Sequence, residues 1–299
     1  MEPAIYAVLH LHPQFDFSAL DIVSDKQPLA LLLSLAYAKE EGWHCNTRVK
    51  KFEGKKFEAQ AIGNTIVFTR GDGKNISKND GRFQGFRKGF DDQYLKRPAG
   101  FEDGDAHFGL TSYQLGGIKI MVRHSVDASM VPTQTAPTTS ADGAISATAA
   151  DTGPMILSKG SLMKLNDIPE INTFANKDCH RRYEKQREAW LSQCGHYVVV
   201  ESQETGHDSN RLDFDYRRAS FPWNRMDFSK AEQPPASVLK TYHDCIDLLV
   251  HTIRNLAAKS QKKLFTVTFD AREGEPVISD RFGGAEVSPE LSKRMLETK

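Results

Sequence analysis

Apolar residues recur along this chain at two different periods, and the switches between them outline its elements. Leu29, Leu32, Leu33 and Ala36 share one face at helical spacing, with Ser24-Asp25 and Pro28 as start signals and Gly42 as the stop. Strand-like runs follow at 47–52, 57–62 and 65–69, separated by the turn residues Gly54 and Gly63-Asn64. Runs at 110–115 and 118–124 flank Gly116-Gly117, a two-residue hairpin signal. A charged helix is predicted over 179–194, with Gly195 as the residue that ends it, and HYVVVE at 196–201 reads as a buried strand. Val238, Cys245, Leu249, Ile253 and Leu256 mark a long amphipathic helix, and 264–269 a further strand. His10 and His12 alternate as though on a strand, with no carboxylate to make them a metal site. The fold class expected is α/β (α+β), a mixed central sheet flanked by helices.

Composition narrows the setting. The longest apolar stretch, 29–38, is far shorter than the ~20 residues of a membrane span, so no membrane partner is expected. The MEPAIY start has no basic region of the kind that opens a signal peptide. Four cysteines in 299 residues make no disulfide framework, which points to an intracellular protein of the cytoplasm or nucleus. The 39 Lys+Arg balance 39 Asp+Glu, unlike an indiscriminate nucleic-acid binder, whose affinity comes from neutralising phosphates. The charges are nevertheless sorted locally. Arg48, Lys50, Lys51, Lys55 and Lys56 meet only Glu53, and 181–187 is also basic. In FQGFRKGF, Arg82, Arg87 and Lys88 interleave with Phe83, Phe86 and Phe90, a composition that suits base stacking beside phosphate contact. Its plainer explanation is a loop tucking phenylalanines into the core.

The common catalytic signatures are absent: there is no GxxxxGK[ST] loop, GxSxG elbow, HExxH helix or CxxC pair. Cys179-His180 with Cys194 and His196 follows no zinc spacing. More suggestive is Asp127 at the end of a hairpin strand, followed by Glu170 and Asn172 on a later one. Residues two apart on a strand face the same way. An Asp followed by Glu-x-Lys is how two-strand nucleases hold Mg²⁺ and place a cation beside the attacking water. Here the third position is the neutral Asn172.

Several segments carry a family resemblance: DIVSDKQPLALLLSLA, GNTIVFTR, HFGLTSYQLGGIKIMVRHSVDA, IPEINT and EAWLSQCGHYVVV. Together they resemble a group of filamentous-fungal proteins that carry the label geranylgeranyl pyrophosphate synthetase. The label finds no support in this chain, which has no Asp-rich DDxxD motif on a helix. The group's pattern, Glu-Val-Asp-Ala and later Glu-Ile-Lys-Thr, is similar to the PD-(D/E)XK nuclease site, including that of decapping exonucleases of the DXO type. The resemblance implies a PD-(D/E)XK nuclease-like core with Asp127 and Glu170 as metal ligands. It also exposes two departures, since Ser125 stands where the first Glu would be and Asn172 where the Lys would be. Mg²⁺ or Mn²⁺ is then expected to bind weakly or not at all. Lys177, Arg181 and Lys185 could return a cation to the site or contact nucleic acid.

Three functional classes follow. The first, and the one preferred, is a catalytically degenerate nuclease-like protein, a pseudoenzyme that binds RNA, DNA or a protein partner. The second is an active Mg²⁺-dependent nuclease with a displaced cation. The third is an interaction module unrelated to nucleic acid. Residues 129–153, SMVPTQTAPTTSADGAISATAADTG, hold too little apolar surface to order themselves and are expected to be a disordered insertion in one domain spanning 1–299. The strands bearing Asp127 and Glu170 would then be neighbours in one sheet. Limited proteolysis should cut within 129–153 and leave the fragments associated on a sizing column; fragments that part and stay folded would show two domains.

Overall fold

The computed structural model describes residues 1–40, 52, 54–70, 95, 107–129, 165–175, 188–202, 223–229, 233–259, 263–269, 275–281 and 287–297. The expected strand at 47–51, the FQGFRKGF segment, the insertion beyond Ser129, and Lys177, Arg181 and Lys185 lie outside these residues.

Helix α1 (Glu2–Leu11) has Pro3 in its first turn and buries Ile5, Val8 and Leu9. That i, i+3, i+4 spacing is helical, so the strand expected at His10 and His12 is corrected: His10 sits in the last turn and His12 is the C-cap. Strand β1 (Ile22–Asp25) runs directly into α2 (Lys26–Glu40). Ser24 and Asp25 therefore close a buried strand instead of capping the helix from a loop. A first hairpin joins β2 (Lys56–Ile62) to β3 (Thr65–Arg70), and a second joins β4 (Phe108–Leu115) to β5 (Ile118–Ser125). Gly116 and Gly117 both have positive φ in that second turn, and a Cβ on Gly116 would meet the His243 ring at 2.3 Å. Further along come β6 (Pro169–Ala175), β7 (His196–Ser202), β8 (Trp223–Ser229), α3 (Ala236–Lys259), β9 (Leu264–Phe269), β10 (Pro276–Asp280) and α4 (Pro289–Glu297).

Seven strands form one sheet in the order β10-β9-β2-β3-β1-β5-β4. Only β1 pairs in parallel, with β3 on one side and β5 on the other; the remaining pairings are antiparallel. The expected class is borne out: a mixed α+β fold with a mostly antiparallel central sheet flanked by helices. A second sheet has the order β6-β7-β8. The expectation that the strands bearing Asp127 and Glu170 pair in one sheet is thus corrected, since β5 and β6 belong to different sheets.

Alternating side chains feed two cores. Ile22, Ile66, Phe68, Ile120 and Val122 point to the face covered by α2 and α3. Val23, Val67 and Met121 point to the opposite face, with Ile5 of α1 and Leu291 and Met295 of α4. Strands buried on both faces read as continuous apolar runs, which explains IVS in β1 and TIVF in β3. Helix α2 is itself buried on more than one side, between the sheet and α3. Arg254 of α3 fastens this layer to the sheet: Nη2 donates to Asp21 Oδ1 at 2.7 Å and Nε to the Asn64 carbonyl at 2.8 Å. The Lys119 N–H also donates to Asp21, so although burial raises the carboxyl's pKa, these partners hold it below its ordinary value. Among the described residues no helix is long and apolar enough to cross a membrane.

Phe68 is fully buried and packs edge-on against Phe57, ring centroids 5.1 Å apart. Phe68→Ala should cost about 3–5 kcal/mol in urea unfolding, since the strands around the cavity cannot collapse into it. A loss under about 1 kcal/mol would show that this core is not close-packed.

Candidate functional site

The parallel register of β1 and β5 places the C-terminal ends of both strands side by side. Asp25 lies opposite Arg123, and their side chains meet at 2.6 Å. One residue beyond Asp25, Lys26 opens α2; two residues beyond β5 comes Asp127. Strand β6 approaches this edge, and its Ile171 N–H donates to Asp127 Oδ2 at 2.8 Å. Asp127 thereby links the two sheets beside the residue that precedes Ile171, which is Glu170.

Asp127 and Glu170 are accordingly brought together although 43 residues separate them in the chain. The side chain that meets Glu170 is Lys26, with Nζ 2.6 Å from Oε1. Such a short contact is the geometry of an ammonium on an ionised carboxylate. Glu170 Oε2 is buried and finds no hydrogen-bond partner among the described residues, and the same is true of Asn172 Nδ2. Burial pushes the Glu170 carboxyl above its ordinary range; Lys26 opposes the rise, while Asp127 and Glu188 add to it. Ser125, at the end of β5, is exposed. Of the cations considered from the sequence, Lys177, Arg181 and Lys185 lie outside the described residues, as do Arg82, Phe83, Phe86, Arg87 and Lys88. Lys26 was missed. Its sequence signal was slight, a lysine directly after Ser24-Asp25 and 144 residues from its partner.

A short helical segment precedes β7. Residues 188–191 form a helical turn. Trp190 packs against Tyr113 of β4 and Tyr242 of α3, with centroids 6.2 and 6.5 Å away. The turn ends at Gln193, whose φ of 52° makes it the left-handed residue expected at Gly195; its side chain donates to the Trp190 carbonyl at 2.8 Å. Gly195 serves a different need, because a Cβ there would come within 2.6 Å of the Asn166 backbone. Cys194 is buried near the charged cluster, and its thiol is pushed up to about 12 by burial and then by Glu170. It is an inert thiol at neutral pH. His124 is buried too, with Nδ1 3.1 Å from the Ser125 carbonyl and Nε2 3.2 Å from Thr111 Oγ1. Its ring lies over Gly109, where a Cβ would come within 2.9 Å.

Residues 1–240 match the sequence profile of a domain of unknown function, DUF8563. The chain belongs to that family. No curated protein matches it by sequence. Among solved structures, it is similar to Scheffersomyces stipitis Rai1 in complex with (3'-NADP)+ and calcium ion: TM-score 0.58, 11% identity, 100% of this chain and 80% of that one. It is similar to Candida albicans Rai1 in complex with pU5-Mn²⁺: TM-score 0.54, 9% identity, 94% of this chain and 75% of that one. Manganese-bound K. lactis Dxo1 gives a TM-score of 0.51 at 11% identity, covering 94% of this chain and 71% of the other. At these identities the likeness is one of fold, and it bears out the nuclease-like core expected from the resemblance.

Several of those proteins hold a divalent cation, so the donor set here can be tested for one. Glu170 offers one oxygen already bound by an ammonium and one that is orphaned. Asp127 offers a carboxylate that also accepts a backbone N–H. Ser125 and Asn172 add no charge. A divalent ion binds a carboxylate oxygen at about 2.0–2.6 Å, in the space where Lys26 Nζ stands. No group of three or more His, Cys, Asp or Glu among the described residues could hold a metal. With Lys26 in position, these residues do not fit a resident divalent cation.

Titration of His124 gives a test of the packing around the site. Burial holds its pKa below the ordinary 6.5; the Ser125 carbonyl opposes this, Lys26 adds to it, and Asp127 opposes it. Below pH 6.5 the unfolded chain protonates this ring while the folded one does not, so its contribution to stability falls as pH drops and returns as pH rises through that window. Glu170 acts with the opposite sign: its raised pKa gives stability that is present below 4.5 and lost as pH rises through the folded value. Comparing His124→Gln with the parent isolates the histidine. The stability gap between them should narrow from pH 7.5 to 5.5 in urea unfolding, whereas parallel curves would show that His124 titrates normally.

Proposed function

We propose that this protein is a catalytically degenerate nuclease-like protein that acts by binding nucleic acid. The observation that carries the reading is the Asp127–Glu170 junction with neutral neighbours. Asp127 accepts from the N–H of Ile171, the residue next to Glu170, but the positions flanking the two acids hold a hydroxyl and an amide. An acid at position 125 and a lysine at position 172 would be needed to complete the nuclease pattern that the sequence resembles. Each missing group alone is worth roughly 10²–10⁴ in rate, so both together leave little catalysis. The similarity in fold to Rai1 crystallised with pU5-Mn²⁺ favours a nucleic-acid ligand over an unrelated one. Arg82, Arg87 and Lys88, interleaved with Phe83 and Phe86, supply the chemistry for a single strand: cations for phosphate and rings for bases. Lys177, Arg181 and Lys185 are further candidates for phosphate contact.

The test uses the full chain with labelled single- and double-stranded RNA and DNA. With Mg²⁺ or Mn²⁺ we expect no cleavage beyond that of Glu170→Ala. Fluorescence anisotropy should show single-strand binding that weakens with salt. Replacing Arg82, Arg87 and Lys88 together by Ala should lower affinity and flatten the log K against log salt slope by about 2, at roughly 0.7 per lost phosphate contact. Robust cleavage lost in Glu170→Ala would establish an active nuclease instead. Absence of any nucleic-acid binding would turn the reading to a protein partner.

A further inference from the structure

We infer that Lys26 is a built-in counter-cation, its ammonium occupying the charge-neutralising place that a divalent ion would otherwise fill beside Glu170 and Asp127. This rests on the nuclease-derived reading of that site and deepens it, because it says what keeps metal out. The first support is geometric. Lys26 Nζ is 2.6 Å from Glu170 Oε1, with the two side chains only 15% and 9% exposed, so this is no swinging surface lysine. The second is how the ammonium is held. Lys26 is the first residue of α2, directly after β1, and Asp25 before it is pinned by Arg123 in register with β5. Backbone pairing therefore aims the lysine at the edge where Asp127 emerges.

The third support is charge. Glu170 and Asp127 carry two negative charges, and Lys26 returns one of them. Asp127 is held next to that pair by the hydrogen bond from the Ile171 N–H, so all three charges lie at the edge where β6 meets the end of β5. A divalent ion added to this set would leave a net positive charge in a buried site, whereas without Lys26 it would leave the site neutral. Removing the lysine would also join the vacated Oε1 to the orphaned Oε2 and to Asp127 as hard oxygen donors of the kind Mn²⁺ and Mg²⁺ accept. The lysine and the metal are thus mutually exclusive occupants of one place.

Mn²⁺ titration of the full chain, followed by calorimetry and by the loss of the free-ion EPR signal, tests this without reference to activity. The parent should bind Mn²⁺ only in the millimolar range. Lys26→Met should bind at least tenfold more tightly, Lys26→Arg should behave as the parent, and the gain should vanish in Lys26→Met combined with Glu170→Gln. Thermal melts establish that each variant folds, and Lys26→Gln, which keeps a hydrogen-bond donor without the charge, carries the same test should Lys26→Met fail to fold. A folded, neutral variant at position 26 with no gain in Mn²⁺ affinity overturns the inference while leaving the nucleic-acid-binding reading intact. Micromolar Mn²⁺ binding by the parent, dependent on Glu170, overturns it as well. Cleavage of RNA by the parent would instead sink the degenerate-nuclease reading.

Discussion

A carboxylate buried as deeply as Glu170 keeps its charge only with a counter-charge in contact, and Lys26 provides it across 2.6 Å. Much of the surrounding architecture serves that meeting. The lysine reaches the site because β1 runs parallel to β5 and ends at the same edge. The glutamate reaches it because β6 is tied to that edge by the Ile171 N–H on Asp127. Trp190 packs against Tyr113 and Tyr242 and anchors the turn that precedes β7. The compensation is incomplete, since burial still wins over Lys26 in setting the Glu170 pKa and Oε2 is left unpaired. Such a residue is expensive in a purely structural role.

The likeness to Rai1 and Dxo1 is one of fold. A fold hosts chemistry only through the groups at its site. In this chain Glu170 meets Lys26, a lysine from a helix distant in sequence, while Asp127 accepts from the neighbouring Ile171 N–H. Binding and catalysis separate naturally in such a site. Contacts to phosphate and bases tolerate the loss of a metal; phosphodiester hydrolysis of this type does not.

Much of the fold was legible because hairpins are local. The runs at 57–62 and 65–69 became β2 and β3, those at 110–115 and 118–124 became β4 and β5, and Gly116-Gly117 made the turn between the latter pair. The pairing of Asp127 with Glu170 was expected from the family resemblance, since the pattern of acids alone is a weak signal, and the Ile171 N–H on Asp127 puts the two segments side by side. What escaped was non-local. Strand β1 has only four residues and is buried on both faces, so it shows no alternation, and Ser24-Asp25 looked like a helix cap. Missing that strand meant missing its parallel pairing with β5, and with it the position of Lys26. Lys177, Arg181 and Lys185, closer to Glu170 in sequence, were the expected source of a displaced cation, and they lie outside the described residues. Helix α1 was misread for a related reason: two histidines two apart suggested a strand, while the Ile5-Val8-Leu9 face decided otherwise.

The central claim is that Lys26 and Glu170 form one electrostatic unit, and a double-mutant cycle measures that unit directly. Urea unfolding would be followed for the parent, Lys26→Met, Glu170→Gln and the pair together. Breaking a buried ion pair by removing one partner costs about 3–5 kcal/mol, whereas replacing both partners is often close to neutral. The account predicts that the double variant is at least about 1 kcal/mol more stable than the sum of the two single losses allows. Additive losses would contradict it, showing that the two side chains contribute to the fold independently.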